Sequence, residues 1–220
     1  VVTVVSATSV TFTSPALAAG TYTLYVVNPD GGTATIVPGV SYSGTPAWTT
    51  GAGSLGTAYE YAAISNTVAA TGDGSITYSV LSGTLPTGST LNTSSGTITG
   101  TSPASAGATT YTFVIRATDA QLQDTDRSFN ITVNTDVVTW TTPADNSVTT
   151  LSKDTASTTT LLATSAAGRS ITYTSTQLPA GLSISGATVT GTPTVSASTA
   201  TTFTATAATT GKLPQLLLIG

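Results

Sequence analysis

Apolar and hydroxyl-bearing side chains alternate along much of this chain. Ile76, Tyr78 and Val80 are spaced by Thr77 and Ser79; Tyr111, Phe113 and Ile115 repeat the pattern, as do Phe129, Ile131 and Val133. A period of two sends successive side chains to opposite faces, so each run predicts a strand with one face buried. Turn signals lie between the runs. In Leu85-Pro86-Thr87-Gly88 the proline presets φ at the first corner and the glycine accepts positive φ at the next. Thr97-Ile98-Thr99 reads as a short strand between glycines. Residues 1–43 predict four further strands, around 2–5, 10–13, 22–27 and 35–37, and Asn28-Pro29-Asp30-Gly31-Gly32 joins the last two as a hairpin. No window sustains a helical period. The predicted fold class is all-β.

The runs recur. Ser75-Ile76-Thr77-Tyr78 returns as Ser170-Ile171-Thr172-Tyr173, Leu85-Pro86-Thr87-Gly88 as Leu178-Pro179-Ala180-Gly181, and Gly96-Thr97-Ile98-Thr99-Gly100-Thr101 as Gly186 to Thr192 with one insertion. Trp48-Thr49-Thr50 answers to Trp140-Thr141-Thr142, and Tyr111-Thr112-Phe113 to Thr201-Thr202-Phe203. These pairs are 90 to 95 positions apart. Two homologous modules, 44–134 and 135–220, are therefore expected, each near the size of an immunoglobulin-like sandwich. Short linkers fall at Ser43–Pro46 and Asn134–Val137. The four strands of residues 1–43 make one side of a sandwich, so the partner strands are expected upstream of Val1. A chain that opens inside an apolar run without Met is expected to be a segment of a longer polypeptide.

Ser14-Pro15-Ala16-Leu17-Ala18-Ala19-Gly20-Thr21-Tyr22 and Val27-Asn28-Pro29-Asp30-Gly31-Gly32 resemble the C-terminal half of an IPT/TIG immunoglobulin-like domain. The two later modules resemble the putative-Ig (cadherin-like) repeat family. That likeness is carried by Gly83-Thr84-Leu85-Pro86-Thr87-Gly88, Leu91-Asn92, Gly96 to Thr101, and the segment Tyr111 to Ala120. The second module departs after Phe203, where Ala207-Ala208-Thr209-Thr210-Gly211 replaces the Arg116-Ala117-Thr118-Asp119 segment. The resemblance implies tandem β-sandwiches of the kind found in virion proteins of tailed bacteriophages (fibres, tail appendages, capsid decorations) and in bacterial surface proteins.

Composition narrows the function classes. Charged residues make up 6% of the 220, against about 25% in an ordinary soluble domain. Thr supplies about a quarter of the chain instead, a strand-favouring choice. So little surface charge fits a component held within a larger particle better than a freely diffusing protein. Five Lys and Arg cannot neutralise a phosphate backbone, so no nucleic-acid partner is expected. Nor is membrane insertion, since no run reaches about 18 consecutive apolar residues. With no His and no Cys there is no imidazole or thiolate for a catalytic triad or a transition-metal site.

Several motifs carry candidate chemistry. Asp119, Asp124 and Asp126 cluster near one loop, and oxygen ligands of this kind suit calcium. Arg116 and Arg127 stand close enough in sequence to neutralise them, and an ion-paired turn is the preferred reading. Gly51-Ala52-Gly53-Ser54-Leu55-Gly56 matches G-x-G-x-x-G but lacks the helix and downstream acid that dinucleotide binding needs, so a β-module opening loop accounts for it. Glu60 is the sole Glu and no Asp pairs with it by spacing, so a two-carboxylate glycosidase is not expected. Trp48 and Trp140 are candidate glycan-stacking platforms. Their recurrence at the start of each module favours instead a repeated packing role at the module boundary.

The expectation is a non-enzymatic structural protein of a tailed-phage virion surface: a semi-rigid immunoglobulin-like spacer without cofactor, contacting other virion proteins, copies of itself and host surface glycan. A bacterial cell-surface adhesin or stalk is the first alternative, and a glycan-binding module the second.

Overall fold

The structure is a computed structural model and describes residues 2–6, 8–142, 151–176, 178–194, 203–209 and 215–219. Among these there is no helix. Four strands precede the repeats: β1 (Val2–Ser6) pairs antiparallel with β2 (Ser9–Phe12), and β3 (Gly20–Val27) with β4 (Thr33–Tyr42). The predicted turn closes the second pair, with the Asn28 amide donating to the Gly32 carbonyl at 2.8 Å. β4 runs further than the sequence pattern suggests because Gly39 lets the strands close on one another. A Cβ there would lie 2.5 Å from the Leu24 amide nitrogen. Several apolar side chains of these hairpins are exposed, among them Val37 at 74% and Tyr25 at 64%.

The first repeat contains β5 (Ala47–Trp48), β6 (Gly53–Tyr59), β7 (Ala63–Thr67), β8 (Ala70–Thr71), β9 (Thr77–Gly83), β10 (Ser89–Leu91), β11 (Thr97–Thr101), β12 (Thr109–Thr118) and β13 (Asp124–Asn134). They form a four-stranded sheet ordered β6-β13-β12-β9, a three-stranded sheet β10-β11-β7, and the ribbon β5-β8. The alternating residues do what their period demands. Phe113, Ile115, Phe129 and Ile131 point inwards and meet Ile64, Val68, Tyr78 and Ile98 from the other strands. Each large side chain so enclosed contributes about 1.5–3 kcal/mol relative to exposure. Val80 departs from the expected burial. It pairs with the buried Ile115, but β9 is the open margin of its sheet, so Val80 stays 39% exposed.

The second repeat contains β14 (Val138–Thr142), β15 (Ser157–Thr160), β16 (Leu162–Ser165), β17 (Thr172–Thr176), β18 (Leu182–Ser185), β19 (Thr188–Gly191), β20 (Phe203–Ala208) and β21 (Gln215–Ile219). Its sheets β15-β19-β18 and β17-β20-β21 and its ribbon β14-β16 match β7-β11-β10, β9-β12-β13 and β5-β8 of the first repeat, and among the described residues no strand takes the place of β6. Each repeat encloses its own apolar centre; here Leu161 and Val189 form one cluster, Val138 and Ala163 another. Residues 143–150, between β14 and β15, lie outside the described residues.

One further element repeats. Trp48 packs at a tilt against Tyr78, ring centroids 5.9 Å apart, and the Tyr78 hydroxyl accepts the Ala70 amide at 2.9 Å. Trp140 packs in the same tilted way against Tyr173, ring centroids 5.6 Å apart, and the Tyr173 hydroxyl accepts the Ala163 amide, also at 2.9 Å. The indoles therefore stand inside their own sandwiches, with Trp48 also against Phe129, and not between modules as the sequence pattern suggested.

Candidate functional site

Where the first repeat ends and the second begins, the chain passes through Asn134, Thr135, Asp136 and Val137. The Asn134 carbonyl, at the end of β13, accepts the Glu60 amide at 2.9 Å, and the Thr135 hydroxyl donates to the Ser105 carbonyl at 3.0 Å. Glu60 follows β6 directly, and its side chain turns back under this linker. One carboxylate oxygen accepts the Asp136 amide at 2.9 Å and the other the Ser105 amide at 3.1 Å. Glu60 is 3% exposed. The sole Glu of the chain is a buried acceptor that ties the linker backbone to the first repeat.

The side chain of Asp136 belongs to the other side. It is fully buried, and the groups that hold it come from the second repeat. The Ser165 hydroxyl donates to Oδ1 at 2.7 Å, the Ala167 amide to Oδ1 at 3.0 Å, and the buried Thr209 hydroxyl to Oδ2 at 3.4 Å. The Arg169 guanidinium lies 3.4 Å from Oδ2 through Nη1, while Nη2 donates to the backbone carbonyl of Glu60. The Val137 carbonyl accepts the Ala166 amide at 2.9 Å. Asp136 thus has its main chain gripped by one repeat and its carboxylate by the next. A buried carboxylate needs such donors, because taking the charge out of water costs several kcal/mol. Beside this clasp, Ser165, Gly168, Arg169, Ile171 and Tyr173 line an open groove of about 330 Å³.

The three aspartates singled out from the sequence are not brought together. Asp126 forms a two-bond pair with Arg116 at 2.8 and 2.9 Å, and Asp124 lies 3.2 Å from the same guanidinium. The hydrogen bond from Arg116 holds the Asp126 carboxyl below its ordinary range, and the same bond raises the Arg116 value. Asp119 instead organises its own loop: it is 3% exposed, and Oδ1 accepts the amides of Gln121 and Gln123, both at 2.9 Å. Gln123 then reaches back to the first linker, donating to the Ser43 hydroxyl at 2.7 Å. Arg127 donates to the Thr50 carbonyl at 2.7 Å. Among the described residues, no group of three or more acidic side chains is placed to hold a metal ion.

Gly51–Gly56 leads into β6 and forms its first half, so a strand stands where phosphate binding would require a helix. Sequence reasoning missed the clasp. Its signals were nevertheless present: the only Glu, an acid inside a four-residue linker, and Arg169 where the first repeat has Gly74 before the shared Ser-Ile-Thr-Tyr.

No curated protein sequence matches the chain. Solved structures that resemble it include an endo-fucoidan hydrolase of glycoside hydrolase family 107, at 20% identity and a TM-score of 0.40, covering 100% of this chain and 36% of that one. The chain therefore spans about a third of that protein's length. Human protocadherin-24 EC1-2 resembles it at 14% identity and a TM-score of 0.39, covering 81% of this chain and 98% of that one. Drosophila N-cadherin EC1-4 does so at 16% identity and a TM-score of 0.36, covering 82% and 50%. The family model described as Putative Ig domain matches twice, over residues 45–134 and 137–216. The chain belongs to that family and carries two of its repeats in tandem.

Proposed function

We propose that this protein is a non-catalytic spacer whose task is to hold consecutive immunoglobulin-like repeats at a set angle, as part of the surface of a tailed-phage virion. The observation that carries the spacer reading is Asp136, a linker residue fully buried between two repeats and bonded to both. A flexible tether would leave its linker in water. The buried acids support the non-catalytic part: Glu60 and Asp136 spend their oxygens on hydrogen bonds that join backbone segments. The virion assignment draws on the 6% charge content and on the tandem repeats.

Proteomics of purified virions, with immunogold labelling of intact particles, tests the location. Peptides of this chain at constant stoichiometry and label on the particle surface are the expected result. Recovery only from a bacterial envelope fraction would replace the virion reading with that of a cell-surface stalk.

A further inference from the structure

The junction between the repeats contains a positive charge of its own. Asp136 and Glu60 are both buried, at 0% and 3% exposure, and carboxylates in such surroundings demand a cation or an array of donors. Arg169 extends from the loop after β16, in the second repeat, and reaches two acceptors that belong to different elements. They are the carboxylate of Asp136 in the linker and the backbone carbonyl of Glu60 in the first repeat. A guanidinium suits this place because its planar fork addresses two acceptors at once, which a single ammonium does less well.

Alignment of the repeats through Ser75-Ile76-Thr77-Tyr78 and Ser170-Ile171-Thr172-Tyr173 puts Gly74 at the position of Arg169. The first repeat builds the counterparts of all the second repeat's described strands with no side chain there. The arginine is therefore no requirement of the repeat's fold. It stands at the end of the second repeat that abuts the first.

We propose that Arg169 is a resident cation that locks the angle between the two repeats, so that the junction needs no divalent metal to be rigid. Bending the junction would separate the guanidinium from Glu60 or from Asp136. It would also pull the Asp136 carboxylate from Ser165 and Ala167 while its amide remains on Glu60. These bonds break together, which gives the pair one preferred orientation. The inference does not depend on where the protein resides.

These 220 residues contain no cysteine, so they accept two site-specific spin labels without further change. Exposed Ser82 and Ser185, one in each repeat, suit Ser82→Cys and Ser185→Cys. Dipolar spectroscopy should give one narrow distance distribution, unchanged by EDTA or by added calcium. Arg169→Met should broaden it, and Arg169→Lys should fall between the two. Fluorescence of Trp48 and Trp140 reports whether both repeats remain folded. Asp136→Asn keeps the buried shape but loses the ion pair, and should broaden the distribution even if Arg169→Met fails to fold. A narrow distribution in folded Arg169→Met or Asp136→Asn, or broadening of the unsubstituted protein by EDTA, overturns the proposal.

Discussion

Arg169 lies 3.4 Å from Asp136 across the boundary between the repeats, and only the arginine retains contact with solvent, at 20% side-chain exposure against 0%. The two partners are therefore unequal. Loss of the cation strands a carboxylate in the interior, whereas loss of the carboxylate leaves a guanidinium that turns towards water. Arg169→Met should cost about 3 kcal/mol of unfolding free energy and Asp136→Asn distinctly less. Urea titrations of the two variants check the order.

The hydroxyls of Tyr78 and Tyr173 each take a strand amide at 2.9 Å in equivalent places. Phenylalanine preserves the packing on Trp48 and Trp140 and leaves the Ala70 or Ala163 amide without this acceptor. Tyr78→Phe and Tyr173→Phe should each cost about 1–3 kcal/mol, read from thermal unfolding.

Gly88 and Gly181 end the repeated Leu-Pro-x-Gly turns with φ of 87° and 90°. A Cβ would lie 2.7 Å from the Thr101 carbonyl oxygen in the first case and 2.0 Å from that of Thr192 in the second. Alanine at either should cost about 2 kcal/mol or more, through backbone strain. Gly51, part of the glycine-rich match, has nothing within 4 Å and should tolerate alanine within about 0.5 kcal/mol. Chemical denaturation of the three variants separates the turn glycines from the incidental one.

The pair between Asp126 and Arg116 is exposed, so its effect is small and weakened by salt. Its sign is fixed. The Asp126 carboxyl is depressed in the folded protein by the hydrogen bond from Arg116. Its contribution is therefore complete above the ordinary carboxylate value of about 4 and fades as pH falls through the lower folded value. Asp126→Asn should remove this part of the acid-induced loss of stability and leave the profile near neutrality flat. Urea midpoints measured across that pH range, at low and high salt, check it.

The strands were legible in the sequence because their signal is local. Phe129, Ile131 and Val133 alternate within five residues, and burial of one sheet face requires no more. The repeats were legible for the same reason, since Ser-Ile-Thr-Tyr and Leu-Pro-x-Gly recur whole. The clasp was not. Its members are 76 residues apart between Glu60 and Asp136 and 33 between Asp136 and Arg169, and no period connects them. Asp124 and Asp126 looked like companions of Asp119 in sequence. Their side chains instead flank Arg116 on the neighbouring strand, while Asp119 lies beyond the strand end in its own turn. Exposure of Val80 was also hidden, because a sheet's order decides which strand is the margin and a two-residue period does not.

In the first repeat β6 lies alongside β13 in parallel, from Gly53 opposite Phe129 to Tyr59 opposite Asn134. The chain enters this repeat through β5, which is paired with β8, passes directly into β6 and leaves through β13. Once β5 has come away from β8, tension applied at the two ends of the repeat drags β6 and β13 past each other lengthwise. Every bond of the ladder is then loaded at the same moment, in shear, where an antiparallel hairpin pulled from its open end would unzip one rung at a time. A repeat wired in this way is expected to resist stretching better than one held at its ends by a hairpin alone.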